Sequence, residues 1–192
     1  PTELIDTTSH MDFLDGEKLR LGTSNDLQLY HDASNSYIND TGTGALYIKS
    51  NYLAVAGANG HQLLNAEQGA AVELYHNNTR KLITTANGIT VTGTAIATTD
   101  TDTTNTGSVT LDFAANQNFV LTLTGNVTLA NPSTEAVGQS GFIAFIQDGT
   151  GSRTVSLGTD YETAAAAGLT LTSTASATDL VPYLVVASNR IL

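Results

Sequence analysis

Apolar residues in this chain recur at every second position, in short runs separated by Gly, Asn, Asp and Ser. Leu19 and Leu21, Leu27 and Leu29, then Tyr37, Leu46 and Ile48 keep this rhythm. A period of two puts alternate side chains on one face of a β-strand. Gly22, Ala33-Ser-Asn35 and Gly42-Thr-Gly44 punctuate the runs. Asn87-Gly88 lies between Lys81–Thr85 and Ile89–Thr92. Both residues tolerate positive φ, so the dipeptide predicts a hairpin.

From residue 108 the texture changes. Val109, Leu111 and Phe113 alternate, as do Phe119, Leu121 and Leu123, then Val127 and Leu129. Gly125-Asn126 predicts a turn before Val127, and Asn131-Pro132 an end to that stretch. Phe142–Ile146 is a nearly continuous apolar run, the pattern of a strand buried on both faces. Asp148–Gly151 predicts a turn into Thr154–Leu157, with Leu169, Leu171 and Leu180–Val186 following. Pro182 favours an edge position or a bulge in the last strand. Phe119, Phe142 and Phe145 are expected in the core. Ala164–Ala167 suits one helical turn stopped by Gly168, and a short helix within 6–14 is conceivable, limited by Gly16.

These patterns divide the chain into a lead segment (1–18), a repeat-bearing β region (19–93), a Thr/Asp-rich linker or solvated strand (94–107) and a C-terminal β-sandwich of jelly-roll type (108–192). The fold class expected is all-β. The repeat is explicit: Asp26–Ile38 returns at Ala71–Ile83, an offset of 45 residues, and each copy carries Leu-Tyr-His, a polar turn and a second apolar strand. Fixed-period similarity marks a chain built by stacking one unit, and two units are too few to bury a core alone. The simplest remedy is that sister chains supply the missing layers, in closed cyclic symmetry.

Composition narrows the function. Of 192 residues only 13% are charged, against about 25% in ordinary domains. Net charge is −11 with 7 Lys plus Arg, so no cationic cluster is available for phosphates or an anionic membrane. There is no cysteine, which excludes disulfides, zinc-thiolate sites and thiol nucleophiles. No apolar run approaches the roughly 18 residues of a membrane span. The chain opens on Pro1 and ends on an apolar Asn189–Leu192, and we expect a fragment of a longer polypeptide.

Several residue sets deserve weighing as chemistry. His31 and His76 hold equivalent repeat positions, where imidazoles on a threefold axis would suit a transition metal; the alternative is a strand-end side chain bonded to the following turn. His31, Asp32 and Ser34 have triad residue types without the spacing that supplies base, orienter and oxyanion hole. Asp100 and Asp102 open a stretch resembling a calcium loop, but Gly107 falls too late and no Glu closes it. Asp112, Glu135, Asp148, Asp160, Glu162 and Asp179 are the carboxylates available for glycoside cleavage, mostly in turn contexts. Tyr30, Tyr37, Tyr47, Tyr52 and Tyr75 suit sugar stacking or cross-strand packing, and packing is favoured. Three Asn-X-Thr sequons, at Asn39, Asn77 and Asn126, are expected by chance in an Asn/Thr-rich chain. No residue is therefore assigned as catalytic, cofactor-binding or metal-binding, no cofactor is expected, and the chain is read as a non-enzyme.

Lys18–Asp32 and Ser36-Tyr-Ile38 resemble the repeat segments of tail-fibre and related structural proteins of tailed phages, marine ones especially. Val72–His76 with Lys81-Leu82 and Gly88–Gly93 looks like the segment closing such arrays. Gly107–Leu111, Leu123–Leu129, Gln147–Val155 and Ala177–Asp179 are similar to a β-sandwich domain at the ends of phage fibre proteins. The second copy departs from the first in carrying Asn77 for Asp32 and adding Arg80 and Lys81. The resemblance implies a homotrimeric virion protein, most readily a tail-fibre segment contributing to host attachment. Partners would be other virion proteins and a host surface glycan or protein. A capsid-attached head fibre or decoration protein, and a polysaccharide-degrading spike, are the alternatives.

Overall fold

The computed structural model describes residues 12–192, so the helix considered within 6–14 lies largely outside the described residues. The protein is all-β and separates into two compact units between Thr92 and Gly93.

The N-terminal unit holds two antiparallel meanders. The first joins β1 (Lys18–Leu21), β2 (Leu27–His31) and β3 (Ser36–Asp40). The second joins β4 (Tyr52–Ala56), β5 (Gln62–Glu67), β6 (Val72–His76), β7 (Thr79–Thr85) and β8 (Gly88–Val91). Leu19↔Leu29 in the first and Leu64↔Leu74 in the second are matching pairs at the 45-residue offset. Each sheet is amphipathic, because opposite residues share a face. Across all five strands of the second sheet runs the row Val55, Leu64, Leu74, Leu82, Val91. Beside it lie Leu53, Ala66 and Val72, then Thr84 and Ile89. The first sheet repeats this in Leu19, Leu29 and Ile38.

The two copies turn differently. Between β2 and β3 four residues, Asp32–Asn35, join the pair His31↔Ser36. Between β6 and β7 only Asn77-Asn78 intervenes, with φ of 48° and 60°. Positive φ at both central residues is the type I′ geometry that matches strand twist, and Asn tolerates it. The shorter turn and an irregularity between Leu74 and Tyr75 move the register. Ile38 faces Leu29, whereas its sequence counterpart Ile83 faces Glu73. The hairpin at Asn87-Gly88 forms, but the pair Thr85↔Gly88 makes Ala86-Asn87 the loop. Leu46 and Ile48, expected in a strand, belong to none and are 44% and 63% exposed. A strand needs a hydrogen-bonded neighbour, and the single chain offers none at these residues.

The C-terminal unit is one mixed sheet: β9 (Thr99–Val109), β10 (Asn118–Leu129), β11 (Ser140–Gln147), β12 (Val155–Leu157), β13 (Thr178–Ala187) and β14 (Arg190–Ile191). β10 is flanked by β9 along one edge and by β11, then β12, along the other, all parallel. β13 then pairs antiparallel with β11 and β14. Parallel neighbours require crossovers, and here the crossovers complete the core. Leu111 and Phe113, from the β9–β10 connection, are buried with Phe119, Leu121, Leu123, Ile143, Phe145, Tyr183 and Val185. Leu169 and Leu171 pack on this cluster from the β12–β13 connection, outside any strand.

Of the two readings of the Thr/Asp-rich stretch, the strand holds from residue 99: it is β9, whose β-branched threonines suit a strand and whose Asn105 is buried, donating to the Asp102 and Thr122 carbonyls. Two sequence expectations need correction. Gly125-Asn126 makes no turn: β10 runs through it with a register shift, and a side chain at Gly125 would meet Thr106 Oγ1. Phe142 is not core but 49% exposed, because β11 is covered on the Ile143–Phe145 face only. Pro182 does sit where its missing N–H costs nothing. Leu184 donates to Leu192, so position 182 points the same way, beyond the end of β14.

Candidate functional site

The residues that sequence reading singled out fall into turn locks, and each lock has a physical cause. Asp32 sits at the first turn of the repeat and accepts from the Ser34 and Asn35 N–H groups and the Tyr37 hydroxyl, at 3.0, 2.7 and 2.8 Å. The Asn35 N–H, then the Tyr37 hydroxyl, hold its carboxyl below the usual range. His31 Nδ1 lies 3.1 Å from Ser36 Oγ, not against Ser34, so His31, Asp32 and Ser34 do not converge. Tyr30 stacks on Tyr37 with centroids 4.7 Å apart, and Lys18 Nζ caps the Tyr30 ring at 4.1 Å.

In the second copy the corresponding face carries a different network. Tyr75 donates to Glu73 Oε2, Asn65 donates to the Tyr75 hydroxyl at 3.2 Å, and Arg80 donates to Glu73 Oε1 at 2.6 Å. The Tyr75 hydroxyl, then Arg80, depress the Glu73 carboxyl. The Asn77 and Arg80 replacements thus work together: one shortens the turn, the other brings a cation to Glu73. Among the described residues no group of three or more His, Cys, Asp or Glu side chains gathers as a metal site. Asp100 and Asp102 lie within β9, and Asp102 accepts from the Thr104 N–H.

The C-terminal carboxylates are also bonded within the unit, although Glu135 Oε2 is buried without a partner. Asp112 accepts from Ala114 and Ala115, Glu135 from the Asn189 N–H, Asp179 from the Thr172 N–H and hydroxyl, and Glu162 takes both arms of Arg190. Asp160 accepts a 3.4 Å bond from Thr159. The Gln147–Val155 stretch forms one interlocked turn. Gln147, 2% exposed, accepts from the Arg153 N–H and donates to the Arg153 carbonyl, standing in for a strand neighbour. Asp148 takes the Thr150 and Gly151 N–H groups and the Arg153 guanidinium. Arg153, then the Gly151 N–H, bring its pKa down to about 2. Gly151, at φ 76°, abuts the Ser173 carbonyl where no Cβ fits.

This turn belongs to a recognisable unit. Residues 101–187 match the family model described as "Putative phage tail fibre C-terminal domain". The match runs from within β9 to the end of β13, so the C-terminal unit is similar to that domain and the Leu-Tyr-His repeats precede it. It supports a structural role in a phage tail fibre and association with the virion. No curated protein and no solved structure matches the chain.

What sequence reading missed is surface rather than chemistry. Phe142, Leu180 and Leu184 are 49%, 62% and 44% exposed. They share the outer face of β11 and β13 with Ala144 and Pro182. The apolar rows of the N-terminal sheets are likewise uncovered. Alternation gave their membership, but not that the chain itself would leave them bare. Beside β12, an open cleft of about 730 Å³ is lined by Leu157, Tyr161, Thr163 and Leu169 among others. The Tyr161 hydroxyl is buried there without a partner, and burial raises its pKa.

Proposed function

We propose that this chain is a structural segment of a phage tail fibre that works as a homotrimer and contributes to host attachment. The observation that carries the reading is the burial of the N-terminal unit. Among its described residues only Asn65 is buried, although both of its sheets are strongly amphipathic. A sheet with one apolar face must bury it against another layer, and two repeats are too few to do so within one chain. Sister chains are the economical source of that layer, and the number three comes from the resemblance of the repeat blocks to phage fibre repeats. The family match of the C-terminal unit places the same weight on a fibre. Apolar burial between chains would then give robustness that no disulfide supplies.

The test is mass in solution. Light scattering on the purified chain is expected to return three times the 20.0 kDa chain mass, with a band resistant to unheated SDS. A folded particle of single-chain mass would overturn the reading. Immunogold micrographs of the virion are expected to mark tails, and label confined to heads would replace the tail with the capsid.

A further inference from the structure

We propose that the free edge of β12 is a docking site for an extended peptide of another protein, which adds to the C-terminal sheet as a further strand. The site lies outside the repeat sheets and does not depend on the oligomeric reading. β12 (Val155–Leu157) pairs with β10 alone. The Thr154 carbonyl accepts from Val127, and the Gly158 N–H donates to Leu129. Bonding residues alternate along a parallel ladder, so Ser156 serves β10, while Val155 and Leu157 turn their N–H and C=O groups outward. Among the described residues none of these four groups has a hydrogen-bond partner. This edge borders the cleft of about 730 Å³, whose far wall is Ala166–Leu169. A second hollow of about 230 Å³ adjoins it at Leu169, lined by Ser152–Thr154 and Leu169–Leu171. A groove therefore follows β12 along its length. The Ser152 N–H closes one end of it by donating to the Ser173 carbonyl at 2.8 Å.

The chemistry of the groove selects a peptide main chain. Donors and acceptors two residues apart on a strand recur at about 6.7 Å, the repeat of another extended chain, and strand addition draws its affinity from such bonds. The far wall offers the same. Leu169, Thr170 and Leu171 belong to no strand, and their backbone groups enter no hydrogen bond among the described residues. Side chains set the sequence that fits. Val155, Leu157, Leu169 and Leu171 pack on the core, whereas Ser156 and Thr170 are exposed. An added strand thus places every second residue, an apolar one, on the core side. A cavity of about 60 Å³ lies there, lined by Phe145, Leu157, Leu169 and Val181 among others, with room for a small aliphatic side chain and not for a ring. The Tyr161 hydroxyl, buried beside it without a partner, is a donor that an incoming carbonyl would satisfy. Charge has no part, because Arg153 is taken by Asp148 and Glu162 by Arg190. A few backbone bonds and one small anchor fall well short of the ~800 Å² that each partner gives a stable subunit interface. The occupant is therefore a short, uncharged segment of a different protein, not the sheet of a sister chain.

The probe is a pool of capped heptapeptides that alternate Thr with Ala, Val, Ile or Leu, each added to the full chain at about 1 mM. Amide hydrogen exchange reads the edge. At least one peptide is expected to slow exchange at Val155 and Leu157 by about tenfold. Of its two copies N-methylated at alternate residues, one is expected to lose that effect. Ala167→Trp, at an exposed position on the far wall, is expected to abolish the protection while leaving the melting temperature unchanged. Three outcomes overturn the proposal: no member of the pool protects the edge, both N-methylated copies protect it equally, or the folded Ala167→Trp variant keeps the protection. Slow exchange of the Val155 and Leu157 amides in the protein without peptide also overturns it, since a sister chain would then hold the edge and the oligomeric reading would stand. A particle of single-chain mass that binds the peptide as expected overturns the oligomeric reading and leaves this site intact.

Discussion

Leu74 and Leu121 each lie in an inner strand of a sheet five or six strands wide, yet Leu121 is 1% exposed and Leu74 41%. The difference lies in the connections. The C-terminal strands run mostly parallel, so the chain must cross over between them: the β9–β10 crossover lays Leu111 and Phe113 on the sheet, and the long β12–β13 connection adds Leu169 and Leu171. The N-terminal strands are antiparallel neighbours joined by tight turns, two residues long at Asn77-Asn78. Tight turns leave no chain to form a second layer. A parallel sheet can therefore make its own core in about 100 residues, while a meander of similar width needs a layer from elsewhere.

The sharpest way to break this contrast is a matched pair of truncations. Phe145→Ala is expected to cost the C-terminal unit about 3–5 kcal/mol, whatever the protein concentration. Leu74→Ala is expected to act through assembly, so its effect on melting should grow on dilution. Two melting transitions followed by circular dichroism over a concentration series would check both, and equal behaviour would end the distinction. Next in size is Gly141→Ala. Its Cβ would come within 2.0 Å of the Gln117 carbonyl and 3.0 Å of Tyr183, so backbone must move. A loss of about 3 kcal/mol in chemical denaturation is expected, confined to the C-terminal transition.

Smaller effects sharpen the comparison between the two repeat copies. Asn77→Val places a β-branched residue at φ 48° and should cost about 1–2 kcal/mol. The same exchange at Asn35, which has no positive φ, should cost less, as paired denaturation curves would show. The smallest effect is acid sensitivity at the Asp148 turn. Its folded pKa of about 2 lies below the ordinary aspartate value of 3.8. The stabilisation is present above pH 4 and fades as pH falls from there toward 2. Asp148→Asn should flatten that acid slope in melting temperatures measured between pH 5 and 2, and an unchanged slope would remove the turn from the account.

Much of the fold was legible because period two is unambiguous. The strands around Leu27, Leu74, Phe119, Phe145 and Leu184 all follow it. β9 was legible only as one of two readings, since its alternation is of Thr, Asp and Asn rather than apolar against polar, and its single buried polar anchor, Asn105, has no sequence signature. Leu111 and Phe113 continue the alternation begun at Val109 but lie in a crossover, where alternation persists without a ladder. Phe142 shows the complementary error. The run Phe142–Ile146 reads as buried on both faces, and the single chain buries one. The repeat alignment likewise held for β2 and β6 but slipped at β3 and β7, because turn length sets register and Asn77-Asn78 is shorter than Asp32–Asn35.

The pairing of β9 with β10 has a mechanical consequence. β9 is the first strand of its unit, and it lies parallel to β10 along eleven residues. A pull transmitted from the repeats would enter at the start of β9 and run along the strand. Within the regular stretches on either side of the register shifts, the bonds of the parallel ladder would then bear load together in shear, instead of opening one after another. Resistance to such a pull is set by the rate of forced unfolding, not by equilibrium stability. The chain would thus carry tension through its least hydrophobic strand, the Thr- and Asp-rich stretch that reads equally as linker or solvated strand.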